Sequence, residues 1–96
     1  MDAVTIGVLY IEYIIPGARS LKDKRRVLNS LKTRMRNRFN CSVAETGVKE
    51  KWGRASLTVC VVSDEARHAD AQVQAIARFA GLHRDAELVE YRVELL

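Results

Sequence analysis

Proline occurs once in this 96-residue sequence and glycine five times. Pro/Gly-rich linkers, repeats and low-complexity stretches are therefore absent, and the length suits one domain, residues 1–96. Cysteine occurs twice, as Cys41 and Cys60, in no C-x-x-C pair and with no histidine at ligand spacing, which argues against zinc-finger patterns and any metal site. Centring a hairpin near Glu50 and Lys51 would set the two cysteines face to face. In a reducing compartment they are expected to be free thiols serving as small core residues. No run approaches the roughly 18 apolar residues of a membrane span. The apolar start, Val4 to Ile15, lacks a basic leader and is broken by Glu12, so it reads as a strand and the protein as cytoplasmic, with no membrane partner. No Gly-rich phosphate loop is present, so no nucleotide cofactor is expected.

Acidic residues are nearly missing from one segment. Between Arg19 and Arg38 stand nine Lys or Arg residues and one acid, Asp23, for a segment charge of +8, whereas the rest of the chain carries −4. The protein is thus bipolar, a cationic element on a mildly anionic body.

Hydrophobic periodicity places the elements. Residues 4–15 form a Val/Ile/Tyr-rich strand that is apolar in both parities, so both of its faces are expected to be covered, the second by another layer or by a second copy of the chain. Pro16-Gly17 turns the chain. Ser20 is a good N-cap, and Asp23 three residues on completes a capping-box-like pair for a helix over 21–39, with Asn40 as its stop. Leu21, Val27, Leu28, Leu31, Met35 and Phe39 make its apolar stripe. Residues 41–48 and 55–63 read as strands joined by a polar turn. Ser63-Asp64 caps a second helix over 65–80, whose stripe of Ala66, Ala69, Val73, Ile76, Ala77 and Ala80 suits close packing on a sheet. Residues 86–95 alternate cleanly, with Val89, Tyr91, Val93 and Leu95 on one side and Glu90, Arg92 and Glu94 on the other. The order βαββαβ predicts an α+β, ferredoxin-like fold: a four-stranded antiparallel sheet with two helices on one face.

With Leu21 as zero and 100° per residue, the apolar stripe of the first helix spans about 240° to 360°, while Lys32, Arg25, Arg36, Lys22 and Arg26 fall at about 20°, 40°, 60°, 100° and 140°. Asn29, Thr33 and Asn37 lie among them. An ordinary solvated helix face alternates signs, because i,i+4 acid–base pairs stabilise it and like pairs repel. Here Lys22–Arg26 and Lys32–Arg36 are like pairs, so the face reads as a polyanion-binding surface. Arg outnumbers Lys on this helix and suits bidentate phosphate contact and stacking on bases, which favours RNA. Nothing resembles a helix-turn-helix or zinc DNA reader. Lys24 and Arg38 fall inside the apolar stripe, near the two helix ends, and are expected to snorkel past the core.

Trp52 sits at the hairpin tip among Lys49, Lys51 and Arg54. It either stacks on a base or folds back onto the sheet edge, and Arg54 would assist it. The third strand carries no ring, unlike the central strands of an RRM, so RNA would use the helix and hairpin and not the open sheet. His68 and His83 have no carboxylate or nucleophile beside them and read as surface histidines, and no catalytic residues are expected. Small acylphosphatases share the βαββαβ order, and Arg19 with Asn40 loosely resembles their arginine–asparagine pair, but their phosphate cradle of backbone N–H groups is missing.

Pro16-Gly17-Ala18-Arg19-Ser20-Leu21-Lys22-Asp23-Lys24-Arg25-Arg26, Arg38-Phe39-Asn40, Val43-Ala44-Glu45, Trp52, Arg54-Ala55, Val62-Ser63-Asp64 and Glu94-Leu95 resemble the YlxP-like family of small bacterial proteins. Cys41 stands where that family more often has valine, and Val48-Lys49-Glu50 and Gly53 depart from its usual hairpin. The resemblance implies a ferredoxin-like fold and a gene neighbourhood of translation factors, including initiation factor two and ribosome-binding factor A, and it supplies no established activity. The expectation is a non-enzymatic protein that binds RNA or a ribosomal particle. Lys22, Arg25, Arg26, Lys32 and Arg36 would bear the phosphate contacts, with Trp52 and Arg54 as auxiliaries. The alternative is a homodimeric module, paired through the open sheet face, that binds an acidic protein.

Overall fold

The computed structural model describes residues 3–47 and 49–96. The elements run β1 (Thr5–Ile14), α1 (Leu21–Arg38), β2 (Ser42–Thr46), β3 (Arg54–Ser63), α2 (Ala66–Ala80) and β4 (Glu87–Leu95). The strands form one antiparallel sheet in the order β2-β3-β1-β4, and both helices cover the same face of it. This is the ferredoxin-like α+β architecture that the periodicities predict. The expected end of the second strand at Val48 lies outside the described residues.

Strand alternation sends Leu9, Ile11 and Tyr13 of β1 and Ala55, Leu57, Val59 and Val61 of β3 toward the helices, where all are buried. Val73, Ile76 and the alanines Ala69, Ala77 and Ala80 of α2 close the core. Gly7 sets how near α2 can come: a Cβ there would lie 2.9 Å from Val73 Cγ1 and 3.0 Å from Val61 Cγ2. Tyr13 donates its hydroxyl to the Ala80 carbonyl at 2.8 Å, satisfying one of the last carbonyls of α2.

Ser20 caps α1 as expected, accepting from the Asp23 N–H at 3.1 Å, and the Asp23 carboxylate accepts the Arg19 N–H at 3.0 Å. The helix stops at Arg38 because Phe39 is already extended, so Asn40 needs no left-handed conformation. At α2 the expected cap is replaced. The Ser63 hydroxyl accepts from the Glu65 N–H at 3.1 Å in a local turn, and Glu65 stands at the helix N-cap without a side-chain bond.

Two register features depart from the sequence reading. Ser42 pairs with Cys60, so the hairpin centres on Lys51 and Cys41 falls in line with Val61. Successive residues face opposite sides of a sheet, which separates the thiols. Cys41 packs toward the helices, its Sγ 3.8 Å from the Met35 carbonyl, whereas Cys60 lies on the open face opposite Val8. In β4 the register shifts between Glu12↔Glu90 and Tyr13↔Leu88, a bulge that breaks the alternation there. Leu88 and Val93 therefore pack on the core, while Val89 is 48% exposed.

The second face of β1 is covered in its middle by the chain itself. Tyr10 donates to Glu94 at 3.0 Å, the Arg92 guanidinium lies 4.1 Å over the Tyr10 ring, and Ser56 donates to Glu12 at 2.7 Å. Ile6 and Val62 remain exposed at one end of that face.

Candidate nucleic-acid interface

The buried residues of α1 are Lys24, Leu28, Leu31 and Met35, at the spacing of one helical stripe. Lys24 thus occupies the axis of the core-facing side, with 1% of its surface exposed. It does not snorkel as expected. Its Nζ donates to the carbonyls of Lys51 at 2.7 Å and Lys49 at 3.1 Å and lies 3.1 Å from Glu45 Oε2. Three acceptors arriving from β2 and the β2–β3 loop offer a better end for the ammonium than solvent reached past the loop. Arg38 does run outward, over the Phe39 and Phe79 rings at 6.0 and 5.2 Å.

With the core stripe so fixed, the opposite side of α1 faces solvent. Lys22, Arg25, Arg26 and Arg36 are exposed and Lys32 is half-buried. Among the described residues the ion pairs are Lys24–Glu45 and Arg84–Asp85, so none of those five cations is neutralised by a carboxylate. Arg36 has a second duty: it donates to the Val43 carbonyl at 3.1 Å and ties α1 to β2.

Lys24 also determines where the hairpin tip sits. Holding the Lys49 and Lys51 carbonyls brings the tip beside the N-terminal turns of α1 and leaves the Lys49 and Lys51 side chains exposed. Trp52 at that tip is 52% exposed. Arg54 shares a hollow with Lys51 of the tip but does not join the helix cations. It pairs with Ile14 on the open side of the sheet, beside Glu12 and Ser56, and the sheet separates it from the helix cations.

The other flank of α1 adds Arg34, a cation that the helical wheel did not single out, to Arg26. Arg26, Ser30 and Arg34 form a row at i,i+4 spacing, and the loop after α2 brings Leu82, His83 and Arg84 against it. Only the closure of α2 onto the sheet creates this juxtaposition. His83 is held there, not free on the surface, its Nε2 lying 3.3 Å from Ser30 Oγ. Burial and the neighbouring Arg34 lower its pKa. His68 is exposed on α2.

The arginine–asparagine pair that loosely imitates an acylphosphatase is not assembled. Arg19 precedes α1 and Asn40 follows it, and the 18 residues of α1 between them make a helix about 27 Å long. Cys41 is an indifferent nucleophile, since burial pushes its thiol pKa up. Among the described residues no three His, Cys, Asp or Glu side chains cluster as metal ligands, and no helix is long and apolar enough to cross a membrane.

Comparison with known proteins adds three findings. The family model described as "Protein of unknown function (DUF503)" matches residues 6–93. The chain is 35% identical over 89 residues to the "Uncharacterized protein YlxP" of Bacillus subtilis (strain 168), covering 93% of this chain and 97% of that protein. Among solved structures it is similar to the de novo designed proteins Foldit4 (TM-score 0.53, 15% identity, 96% of each chain covered) and Ferredog-Diesel (TM-score 0.48, 15% identity, 98% of this chain and 87% of that one). The likeness to Foldit4 shows the fold and nothing of activity.

Proposed function

This chain belongs to the DUF503 family of proteins of unknown function, and we propose that it is a non-enzymatic protein that binds RNA on a ribosomal particle through the outer face of α1. The observation that carries the reading is the unpaired cationic side of that helix: Lys22, Arg25, Arg26, Lys32 and Arg36, without a carboxylate partner among the described residues. Like charges at i,i+4 destabilise a helix by a few tenths of a kcal/mol per pair. That cost is offset when phosphates occupy the face, since each contact releases a condensed counterion. Trp52, exposed beside the N-terminal turns of the same helix, offers a ring to an unpaired base.

Five phosphate contacts give a log–log dependence of affinity on salt with a slope of roughly −4. The test is RNA-binding anisotropy and co-sedimentation with ribosomal subunits for wild type and Lys22→Glu/Arg25→Glu. These two positions are preferred to Arg36, whose bond to Val43 makes it structural as well. The double variant is expected to keep the wild-type circular dichroism and melting temperature and to lose both binding and most of the salt slope. Unchanged binding at moderate salt overturns the proposal. Tighter binding to polyglutamate than to RNA overturns it in favour of an acidic protein partner.

A further inference from the structure

The row Arg26, Ser30 and Arg34 on α1 faces the loop residues His83, Arg84 and Asp85 across a groove of about 430 Å³. A second hollow of about 360 Å³, between the Pro16-Gly17 turn and the first turns of α1, continues it and shares Arg26, Arg84 and Asp85. Three guanidinium groups and one carboxylate, Asp85, meet in the first hollow, and Asp23 adds a second carboxylate in its continuation. Asp85 stands 3.7 Å from Arg84 and is half-exposed, so it can swing toward solvent.

The hydrogen bonds in the groove leave a donor unspent. The Asp85 backbone N–H donates to His83 Nδ1 at 3.2 Å. The neutral ring must then carry its proton on Nε2, which faces Ser30 Oγ at 3.3 Å. Ser30 then accepts from His83 and keeps its own hydroxyl hydrogen as a donor. Burial and Arg34 both favour the neutral ring.

A concave site with several guanidiniums and a hydroxyl donor suits a group of higher charge and more free oxygens than a phosphodiester. A terminal phosphomonoester carries about −1.5 to −2 charges and three free oxygens, whereas the convex face of α1 suits the singly charged diesters of a strand. We propose that this groove binds a terminal phosphomonoester, on an RNA end or a free nucleotide, held by Arg26, Arg34 and Arg84, with Ser30 donating and His83 positioning it. Leu82, 78% exposed at the rim, offers an apolar surface for the attached nucleoside. The inference rests on the RNA reading for the source of the phosphate and not for the chemistry of the groove.

The test uses the full chain and four probes: a short single-stranded RNA with a 5′-phosphate, the same RNA with a 5′-hydroxyl, adenosine monophosphate and adenosine. The 5′-phosphate is expected to tighten RNA binding about tenfold, the increment of one charge-assisted contact. Adenosine monophosphate should compete for that increment and adenosine should not. Arg34→Ala/Arg84→Ala should erase the phosphate preference while leaving 5′-hydroxyl RNA bound as before. His83→Ala should lose part of the preference, and His83→Gln, which keeps a donor amide, should restore it. Adenosine monophosphate binding without any effect of the 5′-phosphate on RNA makes the free nucleotide the ligand of the groove. Equal affinity for both RNAs together with no binding of adenosine monophosphate overturns the inference and leaves the RNA reading standing. Binding of adenosine monophosphate but of neither RNA does the reverse.

Discussion

Lys24 Nζ lies 3.1 Å from Glu45 Oε2, a cation of α1 buried against a carboxylate of β2. With the Lys49 and Lys51 carbonyls it forms the knot that fastens the β2–β3 loop to the helix. Removing one partner of a buried pair strands the other in low dielectric, at a cost of about 3–5 kcal/mol. Lys24→Met is therefore expected to lower the unfolding free energy by that amount, measured by urea titration. Lys24→Met/Glu45→Leu should recover part of the loss, because the orphaned carboxylate goes too. A single variant within about 1 kcal/mol of wild type would show that the knot holds nothing.

The close approach of α2 to β1 at Gly7 leaves no room for a methyl group. A Cβ would meet Val73 Cγ1 at 2.9 Å, with the Ala69 carbonyl at 3.4 Å behind it, and valine has little rotamer freedom with which to yield. Gly7→Ala should cost about 1–3 kcal/mol through overpacking, despite alanine's smaller loss of backbone entropy. Thermal unfolding followed by circular dichroism checks this.

Tyr13 is buried at the end of α2, and burial drives its hydroxyl pKa well above the usual 10.0. Its folded pKa exceeds its unfolded one, so its contribution is intact below pH 10 and is lost as pH rises further, at about 1.4 kcal/mol per pH unit. Tyr13→Phe should reduce the alkaline slope of stability by that amount. At neutral pH it should cost about 1–2 kcal/mol, because the Ala80 carbonyl loses its donor. Urea midpoints at neutral and at strongly alkaline pH measure both.

Trp52 makes a separable contribution if it stacks on a base. Trp52→Ala should leave stability within about 0.5 kcal/mol, as suits a residue half in solvent, and should weaken single-stranded RNA binding by about 1–3 kcal/mol. Trp52→Phe, which keeps a ring, should retain most of the affinity. Anisotropy on an unstructured RNA distinguishes the three proteins.

Much of this molecule is decided by neighbours in the chain. The 3.6-residue stripe of α1, the Ser20–Asp23 cap and the strand periodicities are short-range patterns, and they alone determine the βαββαβ order. The cationic outer face of α1 is equally local, since choosing which side of a helix is buried chooses which side is displayed. Tertiary closure decided the rest. A one-residue difference in hairpin register put Cys41 and Cys60 on opposite faces, and a bulge in β4 exchanged Val89 for Leu88 at the core. The β2–β3 loop came within reach of Lys24 and turned a lysine expected to snorkel past the core into a fully buried one. Arg54 went to the far side of the sheet, while His83 and Arg84 came to Arg26 and Arg34. Periodicity states which residues share a face of one element. Which faces of different elements then meet depends on register and loop closure, for which no local pattern in the chain carries a signal.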